Sequence, residues 1–84
     1  MEDNELKANE LKVLKENRAK LIVEQRELSL KVEELHTFLY YTGSECLNQE
    51  ERDLMVEQYV YMKHYLRVLN KRIAMFNEKI KYCK

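Results

Sequence analysis

Residues 47–80 read LNQEERDLMVEQYVYMKHYLRVLNKRIAMFNEKI, and the spacing of apolar side chains in this stretch decides the fold. Met55, Met62, Leu69, Phe76 and Cys83 recur at seven-residue steps, and Tyr59, Leu66, Ile73 and Ile80 form a second line displaced by four. None of these is charged, and together they occupy the d and a positions of a heptad repeat. Leu54, Tyr61, Val68, Met75 and Tyr82 make a third apolar line, about 100° around the helix from the d line, with Tyr65 between the two. The apolar arc is then roughly 160° wide, broader than a two-stranded seam uses. A helix with such an arc needs more than one neighbour.

The same period runs upstream. Leu14, Leu21, Leu28 and Leu35 are spaced by sevens, with Leu11, Val32 and Leu39 on a companion line that Arg18 and Gln25 interrupt. Polar groups at a positions fix register or oligomer state at a cost in stability, and that is the role read for these two, with contact to a ligand as the alternative for Arg18. The period stops at YYTGSEC, residues 40–46, where Gly43 suits the left-handed conformation that ends a helix and Thr42 and Ser44 are loop formers. Asn48 is placed as an N-cap with Glu51 at the N3 position of a capping box. At the other end MEDN is read as preceding the first helix proper, with Asp3 or Asn4 as its cap. The expected fold is all-α: one long, coiled-coil-like antiparallel helical hairpin, with helix 1 over about 5–39, the bend over 40–47 and helix 2 over about 49–82. The excess apolar face predicts a homo-oligomeric bundle assembled through the c, d and g positions of helix 2.

Composition agrees. The 84 residues include no proline and a single glycine, and 36% are charged, which favours long helices over sheet or disorder. The formal net charge is zero, so no global field draws the chain to a membrane or to long nucleic acid. The distribution is uneven, however. Residues 1–57 carry fourteen acids and eight bases, whereas residues 58–84 carry seven bases and one acid, which points the second half at an anionic ligand. No secretory leader and no apolar run of membrane-spanning length is read, and Cys46 and Cys83 are expected to be reduced thiols of a cytoplasmic protein. His36 and His64 lack a second metal ligand at useful spacing, so neither a metal nor another cofactor is expected. There is no glycine-rich phosphate loop, nucleophile elbow, HExxH or CxxC, and the chain reads as non-enzymatic, with no catalytic residues.

The order Val23-Glu24, Leu28, Leu35, Phe38, then Leu47, Glu51, Leu54-Met55, Gln58, Met62, Tyr65, Leu69, Arg72-Ile73 and Phe76 resembles small helical-hairpin proteins of crAss-like phages. The resemblance implies a phage origin and a compact helical assembly. A looser likeness links the chain to the hairpin proteins that phages use as anti-CBASS and anti-Thoeris sponges, which bind cyclic oligonucleotides or related signals without cleaving them. It implies an anti-defence role in the cytoplasm of an infected bacterium. The features shared are an aromatic residue before a Leu-x-x-x-Glu helix start, met here by Tyr40 or Tyr41 ahead of Leu47, and basic residues on the following helix, met by Lys63, Arg67 and Arg72.

The chemistry of such a role can be read from the residues alone. A nucleotide needs a flat surface for its base and cationic donors for its phosphates. Tyr40 and Tyr41 are adjacent and cannot both face a core, which makes them the candidate base wall, while Tyr59, Tyr61 and Tyr65 are read as packing residues. Lys63 and Arg67, one turn apart, are the candidate phosphate clamp, with His64, Lys71 and Arg72 nearby. Counted along the helix, the bend tyrosines fall roughly 30 Å from Arg67, so a neighbouring protomer is expected to bring them there. The expected ligand is a small anionic nucleotide, a cyclic di- or trinucleotide or an ADP-ribose-type signal, held between protomers. The alternative is an adaptor whose apolar face binds another protein's helix.

Overall fold

A computed structural model describes the backbone of residues 2–42 and 45–82 and the side chains of residues 7–41 and 45–82. Two helices, α1 over Glu2–Thr37 and α2 over Gln49–Tyr82, lie antiparallel in a rod of 65 × 15 × 15 Å. The radius of gyration is 18.9 Å, against roughly 12 Å for a compact domain of this length. The expected hairpin is therefore present, drawn out along one axis.

The helix ends differ from the sequence reading in α1. Helical backbone begins at Glu2, which puts Asp3 and Asn4 inside the first turn instead of at an N-cap. At the other end α1 does not stop before the bend. It widens into a π-helical turn, Phe38–Thr42, so Tyr40 and Tyr41 are helical residues. A π turn holds more residues than an α turn and rotates the side chains that follow it. Here Leu39 turns into the seam at 1% exposure while Tyr40 and Tyr41 stay outside. Gly43 and Ser44, read as the helix stop, and Cys83, read as the last d position, lie outside the described residues. The start of α2 is as expected. The Asn48 side-chain oxygen accepts from the Glu51 N–H at 2.8 Å, and the Asn48 amide donates to the Glu51 carboxylate at 3.0 Å. The first is the N-cap half of the capping box; the second ties the two side chains together in place of the box's return bond to the Asn48 backbone N–H.

Two polar bridges set the register of the seam. Arg18 donates to the Asn77 side-chain oxygen at 3.1 Å, and Gln25 donates to that of Asn70 at 2.8 Å. One heptad up α1 from Arg18 to Gln25 is one heptad down α2 from Asn77 to Asn70. A slip of either helix would break both bonds together, which is how the two polar interruptions of the α1 repeat specify alignment. Between and beyond them the core is thin. Leu21, Leu28 and Leu69 are buried together, with Val32, Met62, Leu66, Ile73 and Phe76 packed around them. Leu69, wholly buried at 0% exposure, sits at its centre.

The a and d lines of α2 thus face α1, with Leu69 fully buried and their other described members half-buried. The d line was expected to contribute to contacts between copies; at Leu69 that line is spent on α1, because the side chain has no surface left, whereas Met55, Met62 and Phe76 are half-buried. The third line remains uncovered. Leu54, Tyr61, Val68, Met75 and Tyr82 are between 46% and 79% exposed. On its edge Tyr65 reaches across the seam, donating its hydroxyl to the Glu24 carboxylate.

Candidate functional site

The side chains able to hold an anion and a base meet on one flank of the rod, towards the bend. The heptad register brings His36 of α1 level with Tyr59 of α2, with ring centroids 5.8 Å apart and planes inclined by 38°. One turn further along the chain, the π turn keeps Tyr40 over the same imidazole, at 4.8 Å and 46°. Tyr41 stands edge-on to it at 6.2 Å and 61°. Tilted ring pairs at such separations are the favourable arrangements for aromatic quadrupoles. Tyr41 is 78% exposed, so its face is open to a ligand.

On α2 the aromatic run passes into cations. The Lys63 ammonium lies 5.3 Å from the centre of the Tyr59 ring, within cation–π range. From there a shallow groove of ≈ 300 Å³ opens along the helix, lined by Tyr59, Val60, Lys63, His64 and Arg67. Lys63 and Arg67 are one turn apart with His64 beside them, so the groove offers two cationic side chains to one phosphate. Base-stacking surface and phosphate donors therefore form a continuous strip, from Tyr41 through His36 and Tyr59 to Arg67.

The expectation that a neighbouring protomer brings the bend tyrosines to Arg67 did not include the route within one chain, from Tyr40 through His36 and Tyr59 to Lys63. That expectation placed Tyr40 and Tyr41 in an unwound bend and measured along α2 alone. In the structure the helical winding continues through both residues, and His36 links them to Tyr59 in the same chain. His36 was weighed in sequence only as a metal ligand. Its signal was there as an i,i+4 aromatic pair with Tyr40, but the pairing with Tyr59 depends on the register. The remaining candidates are less central. Lys71 lies one turn past Arg67 on the same flank and does not line the groove. Arg72 is about 140° around the helix from Arg67, beside Tyr65, and does not join the strip.

Among the described residues, no group of three or more His, Cys, Asp or Glu side chains is placed to hold a metal ion. Cys46 is free and exposed. No helix among the described residues is long and apolar enough to cross a membrane. No curated protein and no solved structure matches the chain. A family model does: residues 15–75, which include most of the seam and the whole groove, match the model described as Sequestin, and the chain belongs to the Sequestin family.

Proposed function

We propose that this protein is a non-enzymatic phage anti-defence protein that captures a small nucleotide immune signal. The signal is a cyclic di- or trinucleotide or a related ADP-ribose-type nucleotide, bound by the strip and enclosed by a second copy of the chain in the cytoplasm of the infected bacterium. The observation that carries this reading is the continuity of the strip. A base stacks on Tyr40 or Tyr41 against His36, and phosphates lie on Lys63 and Arg67, with His64 as a further donor. The family's name, which speaks of sequestration, supports capture over chemistry. Aromatic rings that stack a base and cationic side chains that neutralise phosphates are suited to holding a nucleotide.

The exposed stripe of Leu54, Tyr61 and Val68 favours one other reading, an adaptor that binds a partner protein's helix. A thermal-shift panel of cyclic dinucleotides, cyclic trinucleotides and ADP-ribose-type signals separates the two. A ligand at one hundred times its Kd stabilises the fold by about 2.7 kcal/mol, or roughly 10–20 °C for a domain this small. Arg67→Ala should weaken binding by about 1.5–3 kcal/mol, the range for a hydrogen bond to a charged group, without altering the mass of the assembly. No shift with any member of the panel would leave the adaptor reading in its place.

A further inference from the structure

The uncovered stripe of α2 has a centre. Leu54, Tyr61, Val68, Met75 and Tyr82 are evenly spaced, and Val68 is the middle member. Leu54 and Tyr82 are equally far from it, as are Tyr61 and Met75. So are two charges on the line of contact, Glu57 and Lys79. Shallow depressions lie on either side of Val68. One is lined by α2 alone, with Leu54, Glu57 and Tyr61 among its residues; the other lies between the helices, where Leu14 of α1 faces Met75, Lys79 and Tyr82. The chain also exposes more area than its mass requires. Its accessible surface is 6964 Å², against roughly 5,400 Å² for a folded monomer of 10.3 kDa. The excess of about 1,600 Å² is twice what each partner hides in a standard interface.

From this symmetry, and resting on the nucleotide-capture reading, we infer that α2 pairs with α2 of a second copy, antiparallel and pivoting on Val68. The pair then builds one shared cationic cleft for a ligand that carries two phosphates. A two-fold contact is self-complementary, so each stripe residue meets its mirror mate: Leu54 meets Tyr82, Tyr61 meets Met75, and Val68 meets itself. The charges choose the direction. Parallel pairing sets Glu57 on Glu57 and Lys79 on Lys79, whereas antiparallel pairing sets Glu57 on Lys79 twice.

The cleft follows from which flank carries the cations. Around the helix from Val68, His64, Lys71 and Arg67 lie roughly 40°, 60° and 100° to one side, all within four residues of the pivot. The two-fold returns that flank to the same side of the contact, so the second copy contributes its own His64, Arg67 and Lys71 to one cluster. α1 packs on the opposite flank, which leaves this one open. Arg72, stranded outside the strip in a single chain, comes level with Tyr65 of the second copy on the other side. Two phosphates answer this double set of cations. A cyclic dinucleotide carries them apart and an ADP-ribose carries them joined, so both chemistries belong in the test.

Short-arm bismaleimide cross-linking reads the pairing directly, in full-length chains with Cys46→Ser and Cys83→Ser. Val68→Cys should give a covalent dimer in high yield, Glu57→Cys alone should not, and the double variant Glu57→Cys/Lys79→Cys should again. Equal yields from Val68→Cys and Glu57→Cys, or a strictly monomeric chain in light scattering, overturn the pairing. Titration calorimetry with cyclic di-AMP and with ADP-ribose, on the unmodified chain, should find one ligand per two chains with at least one of them. One ligand per chain overturns the shared cleft while the capture reading stands. No heat from either overturns the shared cleft, and if the thermal-shift panel is also silent the capture reading falls with it.

Discussion

Truncating Leu69 to alanine tests the energetics on which the fold rests. The substitution removes three carbons from the one α2 side chain at the centre of the seam, which is 0% exposed. At about 0.8 kcal/mol per buried methylene the lost transfer free energy is about 2.4 kcal/mol, and the cavity left behind adds to it. Met62, Leu66 and Ile73 around it are only half-buried and can settle inward, so the total should fall in the lower half of the usual 2–5 kcal/mol range, at about 3. For a domain of this size that is roughly 12–24 °C in Tm. Urea denaturation followed by circular dichroism, at one fixed chain concentration, measures it. Val23→Ala is the matched control, because Val23 is exposed on α1 and its loss should stay within about 0.5 kcal/mol. A penalty below about 1 kcal/mol for Leu69→Ala, or one equal to the control, would show that the a/d seam is not what holds the helices together.

Gln25→Leu removes a polar bridge to Asn70 and lengthens the apolar line; it should raise the denaturation midpoint while broadening amide signals in NMR spectra as the register loosens, and unchanged sharp spectra would count against the bridges as register devices. Asn48→Ala removes the N-cap bond and should lower stability by about 0.5–2 kcal/mol in the same urea assay, whereas Asn48→Asp should retain most of it. His36→Ala removes the ring between Tyr40 and Tyr59 and should weaken nucleotide binding by about 1–3 kcal/mol in calorimetry; normal affinity would detach the aromatic part of the strip from the site.

The hairpin was legible because its cause is periodic. Seven-residue spacing names the seam without knowledge of anything distant, and Asn48 with Glu51 announces a helix start within four residues. The interruptions at Arg18 and Gln25 could be read as register devices, but not what they bond. Asn70 and Asn77 become their partners only once the bend length is settled, and the bend length depends on how residues 38–42 wind. Five consecutive residues, FLYYT, carry no sign in their composition that they form a π turn and not a loop. That single ambiguity misplaced Tyr40 and Tyr41 and hid His36. The groove cations were easier to find, because Lys63, His64 and Arg67 share one helix and their spacing alone brings them together.

The thin, linear seam has a consequence for the order in which the molecule comes apart. Contacts near the bend, such as His36 with Tyr59, close a short loop of chain, whereas Arg18 with Asn77 closes a much longer one. Closing a loop becomes entropically harder as it lengthens, though only logarithmically, so the rod should zip shut from the bend and fray from the open end. The strip lies on the bend side of this gradient. It is assembled early and survives partial opening, so amide hydrogens around Lys63 should exchange more slowly than those around Asn77. A ligand clasped there would meet a site still formed when the far half of the hairpin has parted.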